Sequence, residues 1–191
     1  AKYADTSETV KIRACFNSIP AQLAKENTKF QYKVIQKGGS ATMFGASIDW
    51  LTQAGVVLKC QKVEHAQNPI SVYADLSSFK LYMSDVGLLV MKSGLVQQTI
   101  LTGVSNIFMG AVTENYIAQA LVSNGYTPYY WTSKHSAELD FVIQKDADIV
   151  GIEVKKSTST KSKSLGVFIK KYQPSYSIRF SEKNFGQSDG I

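Results

Sequence analysis

Two late segments of the chain, residues 139–143 and 149–154, are alternating apolar runs of the kind that is typical of neighbouring half-buried β-strands. Residues 145–148 between them predict a hairpin turn. The aromatic run at residues 127–132 predicts a strand before the hairpin, and residues 176–180 predict a last strand that follows a helix. This half of the chain therefore predicts an α/β (α+β) fold with a central mixed sheet flanked by helices.

The first half of the chain shows mainly helical spacing of its apolar residues. Three helices are predicted, and the residues that can cap them are Thr6 or Ser7, then Ser18, then Ser40. The second helix would carry Pro20 in its first turn. Residues 30–35 predict an extended stretch, and wing strands are expected at residues 56–63 and at either 70–73 or 79–83. Three helices followed by a hairpin is the order of a winged-helix domain.

Three charged residues interrupt the apolar strands of the second half: Asp140, Glu153 and Lys155. Because successive side chains on a strand alternate between its faces, Glu153 and Lys155 point the same way, and Asp140 can lie beside them on the neighbouring strand. Such a patch suits Mg²⁺ or Mn²⁺, with Asp140 and Glu153 as metal ligands and Lys155 stabilising charge on an attacking water or phosphate. A solvated sheet edge that carries a salt bridge is the alternative.

A long helix is predicted over residues 106–124, with Asn106 as its cap and Glu114 midway along it. Helical spacing can aim Glu114 at the sheet edge that holds Asp140. There it would bind a metal through water or orient Lys155. A surface glutamate that pairs with a nearby lysine is the alternative interpretation.

The formal net charge of +6 favours an acidic partner such as nucleic acid. Basic residues concentrate after the proposed site: Lys156, Lys161, Lys163, Lys170, Lys171, Arg179 and Lys183. The polar segment 157–164 predicts a loop that can contact phosphates or simply connect two elements. An ordinary solvated lysine face explains the same charges.

Several classes of protein are excluded by what the sequence lacks. The chain has no phosphate-binding glycine loop, so it is not expected to hydrolyse ATP, and it has no zinc-spaced Cys/His set. No apolar run reaches the roughly 18 residues that span a bilayer, which predicts a cytoplasmic protein without a membrane partner. Its two cysteines, Cys15 and Cys60, are expected to be buried thiols. The start at Ala1 suggests a piece of a longer protein.

Several ordered motifs resemble the C-terminal DUF4143 region of bacterial and archaeal AAA-type ATPases: residues 18–23, 79–89, 110–115, 130–131, 137–141 and 153–155. The resemblance implies a winged-helix domain over residues 1–92. It implies a PD-(D/E)xK restriction-endonuclease-like domain over residues 93–191, normally attached behind a P-loop ATPase domain. Leu139 stands where the superfamily name places proline, and the acidic position that follows is intact.

Two hypotheses of different class result. The first is a Mg²⁺-dependent phosphodiesterase acting on DNA, with Glu114, Asp140, Glu153 and Lys155 as its catalytic residues. The second is a non-catalytic DNA-binding or regulatory module of the same ATPase, in which the charged residues are structural. Nucleic acid and the N-terminal ATPase domain of the parent chain, where ATP would bind, are the expected partners.

Overall fold

The computed structural model of the chain describes residues 6–25, 28–102, 107–133, 137–155 and 162–187. Their helices are α1 (Thr6–Leu23), α2 (Tyr32–Ile35), α3 (Ala41–Gln53), α4 (Val86–Ser93), α5 (Gln97–Leu101), α6 (Met109–Ser123) and α7 (Lys163–Tyr172). Their strands are β1 (Val57–Val63), β2 (Ala74–Met83), β3 (Tyr129–Thr132), β4 (Glu138–Lys145), β5 (Asp148–Val154) and β6 (Ser177–Phe180). None of these helices is long and apolar enough to cross a membrane.

The strands form one mixed sheet in the order β2-β1-β3-β4-β5-β6. The pairs β1/β3 and β5/β6 are parallel, whereas β3/β4 and β4/β5 are antiparallel. The predicted hairpin is therefore present as β4 and β5, and the predicted strand before it is their neighbour β3. The mixed sheet flanked by helices confirms the α/β (α+β) fold class.

The chain divides into two compact units, each built from two segments of the sequence. The first unit comprises Ala1–Lys59 and Phe79–Gln119, and the second comprises Cys60–Ser78 and Ala120–Ile191. The predicted division into a winged-helix domain of residues 1–92 and a nuclease-like domain of residues 93–191 stays a prediction.

Helix α1 is a single helix, so the predicted break before Ser18 is wrong. Pro20 lies inside it and removes one backbone hydrogen bond, at a cost of about 3 kcal/mol. An apolar stripe at helical spacing runs past the proline and is buried: Ile12, Cys15, Ile19 and Leu23. Burying one such side chain stabilises the fold by about 1.5–3 kcal/mol, so the stripe as a whole outweighs the proline.

Three short segments differ from the sequence prediction. The expected extended stretch over residues 30–35 contains helix α2, where Tyr32 packs edge-on against Phe30 with ring centroids 5.4 Å apart. Residues Ile70–Tyr73 form a 3-10 turn, and the other predicted alternative for this strand, residues 79–83, lies within β2. Helix α7 begins at Lys163, inside the predicted loop 157–164, because the Ser162 hydroxyl caps it.

Helix α7 packs on β4 and β5 and fixes these strands from one side. Trp131 of β3 and Phe168 of α7 meet edge-on, with ring centroids 5.5 Å apart. Gly151 of β5 makes room for this helix, since a Cβ atom there would lie only 2.7 Å from Cε1 of Phe168. Because Gly151 has no side chain, β5 can pack closely against α7.

Candidate functional site

Asp140 lies at an irregularity of the sheet. The β3/β4 register changes between the pairs Tyr129–Val142 and Trp131–Leu139, so that β4 has one residue more than β3 over this stretch. An extra residue of this kind is a β-bulge, which turns side chains away from the regular alternation and often lies beside functional sites. The bulge therefore sets the direction of Asp140, which the sequence pattern alone treats as a regular strand position.

The carboxylate of Asp140 is hydrogen-bonded to the backbone at the end of the neighbouring strand. Its Oδ2 accepts a hydrogen bond of 2.7 Å from the backbone N–H of Val154 in β5. One residue earlier, Glu153 forms an ion pair with Lys155, whose Nζ lies 2.6 Å from Oε1. Glu153 and Lys155 therefore lie on the same side of β5, as their spacing predicts, and Asp140 contacts the backbone between them.

The ammonium of Lys155 has a raised pKa. Burial lowers the pKa of its ammonium, but the hydrogen bond to Glu153 and the negative charges of Glu153 and Asp140 outweigh burial and raise the pKa above 10.5. Arg179 acts in the opposite direction and lowers it. A lysine held in the charged form cannot accept a proton near neutral pH, so it suits stabilisation of negative charge rather than general-base chemistry.

The Glu153 carboxylate has one oxygen without a partner. Its side chain is only 3% exposed, while that of Lys155 is 40% exposed. Oε1 binds Lys155, but Oε2 is buried and has no hydrogen-bond partner in the described part of the chain. A buried carboxylate oxygen left in this way is costly, and a cation would satisfy it.

The carboxylates of Asp140 and Glu153 fit Mg²⁺ or Mn²⁺ as a site with two protein ligands. Mg²⁺ is often held by one or two carboxylates, with waters and substrate phosphate completing its shell. Asp140 and Glu153 can supply those two carboxylates. Within the residues that the structure describes, no group of three or more His, Cys, Asp or Glu side chains could hold a metal ion. The fit therefore depends on these two side chains and on the substrate.

Glu114 belongs to the first unit, where it has partners of its own. Its Oε1 lies 3.2 Å from Nζ of Lys80, and the same oxygen accepts a short hydrogen bond from the hydroxyl of Tyr82. The side chains of Lys80 and Glu114 are 2% and 15% exposed, so this ion pair is largely buried. The predicted part of Glu114 in a site with Asp140 stays a prediction.

Lys80 and Tyr82 were not singled out from the sequence, although a signal was present. They are the two polar side chains of an otherwise apolar run in β2, and their spacing of two residues puts them on one face of the strand. Asn115, next to Glu114, binds the same strand, since its Oδ1 accepts from Met83 N–H at 2.8 Å and its Nδ2 donates to Met83 O at 3.0 Å. Within the first unit, α6 is therefore joined to β2 by polar side chains.

The basic residues of the second unit lie mostly in solvent. Lys163, Lys170 and Lys171 of α7 and Lys183 are exposed, whereas Arg179 of β6 is half-buried. Lys171 also covers the Trp131 ring, with Nζ 5.3 Å from the centroid. The remaining predicted basic residues, Lys156 and Lys161, and the predicted helix cap Asn106 lie outside the described residues.

Family models match the chain in two consecutive parts. Residues 1–99 match the model described as "Domain of unknown function (DUF8612)", and residues 109–191 match "Domain of unknown function (DUF4143)". The second match confirms the DUF4143 resemblance for that part of the chain. Searches of curated proteins and of solved structures gave no match.

Proposed function

The chain belongs to the DUF8612 family, whose model covers 99 of its 191 residues, and we propose that it carries a Mg²⁺-dependent phosphodiesterase site that acts on DNA. The site lies in the part that matches DUF4143. One observation supports the proposal most directly. Glu153 has a buried oxygen without a partner, beside a protonated lysine and next to a strand that carries a second carboxylate.

Each residue has a distinct role in the proposed site. Asp140 and Glu153 would hold the divalent ion, and that ion would supply charge neutralisation and a more acidic bound water. Lys155 keeps its proton and places a positive charge where negative charge develops on the phosphate. The backbone N–H of Val154 holds the Asp140 carboxylate in position by the 2.7 Å hydrogen bond.

DNA is the proposed substrate because of the charge of the surrounding surface. The exposed lysines of α7, Lys163, Lys170 and Lys171, can contact a phosphate backbone without reading its sequence. We further propose that the fold is of the PD-(D/E)xK type, that a winged-helix domain precedes it, and that the parent protein is an AAA-type ATPase. These three proposals rest on the motif resemblance.

Plasmid nicking tests the phosphodiesterase proposal. With Mg²⁺ or Mn²⁺ the chain should slowly nick supercoiled plasmid, and Glu153→Gln and Asp140→Ala should abolish nicking. Lys155→Ala should reduce it by about 100-fold or more, as expected when one charge-stabilising group is removed. Glu182→Gln is the matched control, since it removes an exposed carboxylate. Circular dichroism must show that each variant is folded.

The outcome separates the two proposed functions. Nicking that survives both Glu153→Gln and Asp140→Ala would show that a contaminant or another site is responsible. An absence of nicking by the full parent ATPase, with nucleotide and with each divalent ion, would favour the non-catalytic module.

A non-catalytic DNA-binding or regulatory module is the second candidate. Two observations favour it: the 2.6 Å ion pair between Glu153 and Lys155, which neutralises one carboxylate, and the lack of a third metal-binding side chain among the described residues. Calorimetric titration with Mn²⁺ distinguishes this function. The module should bind DNA with the same affinity with and without Mn²⁺, whereas the phosphodiesterase should bind Mn²⁺ and lose that binding in Glu153→Gln.

A further inference from the structure

We propose that Arg179 binds a substrate phosphate beside the Glu153 carboxylate, so that the site receives a metal-bound phosphate group and not a metal ion alone. The inference deepens the proposed phosphodiesterase function and rests on it. The sequence predicts Arg179 only as one of several basic residues that follow the proposed site, and it gives no role to this side chain.

The register of the sheet places Arg179 next to Glu153. Strand β6 runs parallel to β5, and Glu153 and Arg179 are direct partners in that pairing. Directly paired residues on neighbouring strands project their side chains from the same face of a sheet. The backbone N–H of Lys155 donates to the carbonyl of Phe180 at 2.9 Å, which fixes this register at the site.

Arg179 also has an unused donor. Its Nε is buried and has no hydrogen-bond partner within the described residues. The buried polar side-chain atoms that share this state belong to Trp131, Glu153, Tyr172, Ser177 and Arg179. Of these residues only Glu153 and Arg179 are ionic, and they are the two that face each other across β5 and β6.

A metal-bound phosphate group can satisfy both unpartnered atoms, because it presents opposite charges to them. The Glu153 oxygen can bind its cation, and the Arg179 N–H can donate to its anionic oxygens. The charges of Asp140, Glu153, Lys155 and Arg179 sum to zero, as two carboxylates and two cations. A divalent ion would add two positive charges, and phosphate oxygens would compensate them. Arginine suits this task because its planar fork of N–H donors matches phosphate geometry.

A salt bridge between Arg179 and Glu153 is the competing explanation. The ion-pair partner of Glu153 is Lys155, at 2.6 Å, and Nε of Arg179 makes no hydrogen bond to the carboxylate. If Arg179 served only to neutralise Glu153, its removal would affect stability and metal binding. It would not affect DNA affinity in a metal-dependent way.

DNA binding by Arg179 variants tests the inference. The affinity of the complete chain for a fluorescein-labelled duplex would be measured by anisotropy, at constant ionic strength, with Mg²⁺ and with EDTA. Arg179→Gln should weaken binding in Mg²⁺ by about 10-fold or more, and should lower the salt dependence by about one phosphate contact. The loss in EDTA should be smaller, because without the divalent ion the two carboxylates repel the phosphate and hold it less closely to Arg179. Arg179→Lys should fall in between.

Lys145→Gln is the matched control, since it removes one exposed positive charge at the end of β4 that has no proposed DNA contact. An Arg179→Gln defect no larger than that of Lys145→Gln, or one that is equal in Mg²⁺ and EDTA, would overturn the inference. If Arg179→Gln does not fold, the comparison of Arg179→Lys with wild type decides in the same way, because lysine keeps the charge and loses the fork.

The two proposals fail in different ways. Nicking that requires Mg²⁺ and Glu153 but is unaffected by Arg179→Gln would remove the role of Arg179 and leave the phosphodiesterase proposal intact. Wild-type protein that never nicks DNA, yet shows the metal-dependent Arg179 defect in binding, would remove the phosphodiesterase and keep the phosphate-binding role.

Discussion

Replacing Glu114 by alanine should destabilise the first unit strongly. The change removes a carboxylate 3.2 Å from the ammonium of Lys80, whose side chain is only 2% exposed. Breaking a buried ion pair from one side costs about 3–5 kcal/mol, because a buried charge loses its ionic partner. Domains of ordinary stability have only about 5–15 kcal/mol in total, so this loss would take a large part of it.

An exposed ion pair of the same unit provides the control. Lys59 and Asp49 are 3.4 Å apart, but their side chains are 22% and 61% exposed. Asp49→Ala should therefore cost no more than about 1 kcal/mol. The two alanine variants differ in the burial of the remaining lysine and in the hydrogen bond from Tyr82, which only Glu114→Ala removes, so the difference between their effects measures these two consequences together.

A compensated variant tests whether charge is the cause. Lys80→Met, Tyr82→Phe and Glu114→Leu together remove both partners of the carboxylate along with the carboxylate itself. Replacing a buried ionic group by apolar side chains of similar volume is often neutral or stabilising, so this triple variant should recover most of the stability lost in Glu114→Ala. The effects should be strongly non-additive, as expected for residues in contact.

Urea unfolding followed by circular dichroism and tryptophan fluorescence gives the free energies of unfolding. A cost below about 1 kcal/mol for Glu114→Ala, equal to that of Asp49→Ala, would refute the reasoning. A further variant, Glu114→Gln, tests the predicted catalytic role. If Glu114 acts in cleavage, Glu114→Gln should reduce nicking by more than the loss of folded protein explains.

Three further predictions concern the rest of the chain. Gly151→Ala should cost about 1–3 kcal/mol in urea unfolding because its Cβ would overlap the Phe168 ring, and an unchanged midpoint would contradict the close packing. Burial raises the pKa of Cys15 to about 11, so this buried thiol and that of Cys60 should react with a disulfide reagent only after unfolding, and rapid reaction in the native state would contradict their burial. The raised pKa of Lys155 means that its ion pair stabilises the folded chain below pH 10.5, and that this contribution is lost as the pH rises through the raised value. The small difference in free energy of unfolding between wild type and Lys155→Met should therefore be constant from neutral pH to about pH 9 and shrink above pH 10.5. A difference that already disappears between neutral pH and about pH 9 would show that the pKa of Lys155 is not raised.

The hairpin of the site could be read from the sequence because its signal is local. Strands β4 and β5 are apolar runs on either side of a turn, and the contact between Glu153 and Lys155 follows from the alternation of side chains between the two faces of a strand. The bulge beside Asp140 could not be read in this way. It arises from the pairing of β4 with β3, and residues 139–143 look the same whether or not the neighbouring strand shifts its register.

The partners of Glu114 could not be predicted from the spacing of apolar residues, for a related reason. The pattern indicated helix α6, but the choice of partner depends on β2, which lies 34 residues away in sequence at Lys80. The continuation of α1 through Pro20 has the same origin, since burial of a stripe against other elements decided it. Local propensity gave the elements, and tertiary contacts decided where charged side chains lie and where a helix ends.

The ionic groups around Glu114 and Glu153 differ in whether residues of the same unit satisfy the carboxylate. One oxygen of Glu114 receives both Lys80 and Tyr82, so this group is satisfied by residues of its own unit. Glu153 is more deeply buried, yet its ion pair reaches a half-exposed lysine, and its second oxygen has no partner among the described residues. An exposed ion pair is worth at most about 1 kcal/mol, whereas leaving a buried acceptor unsatisfied costs about 1–3 kcal/mol. Stability alone therefore does not account for a glutamate at position 153, whereas the glutamate at position 114 offsets the buried charge of Lys80. Arrangements that reduce stability in this way are expected where a ligand completes the site, which is why the proposed chemistry is centred on Glu153.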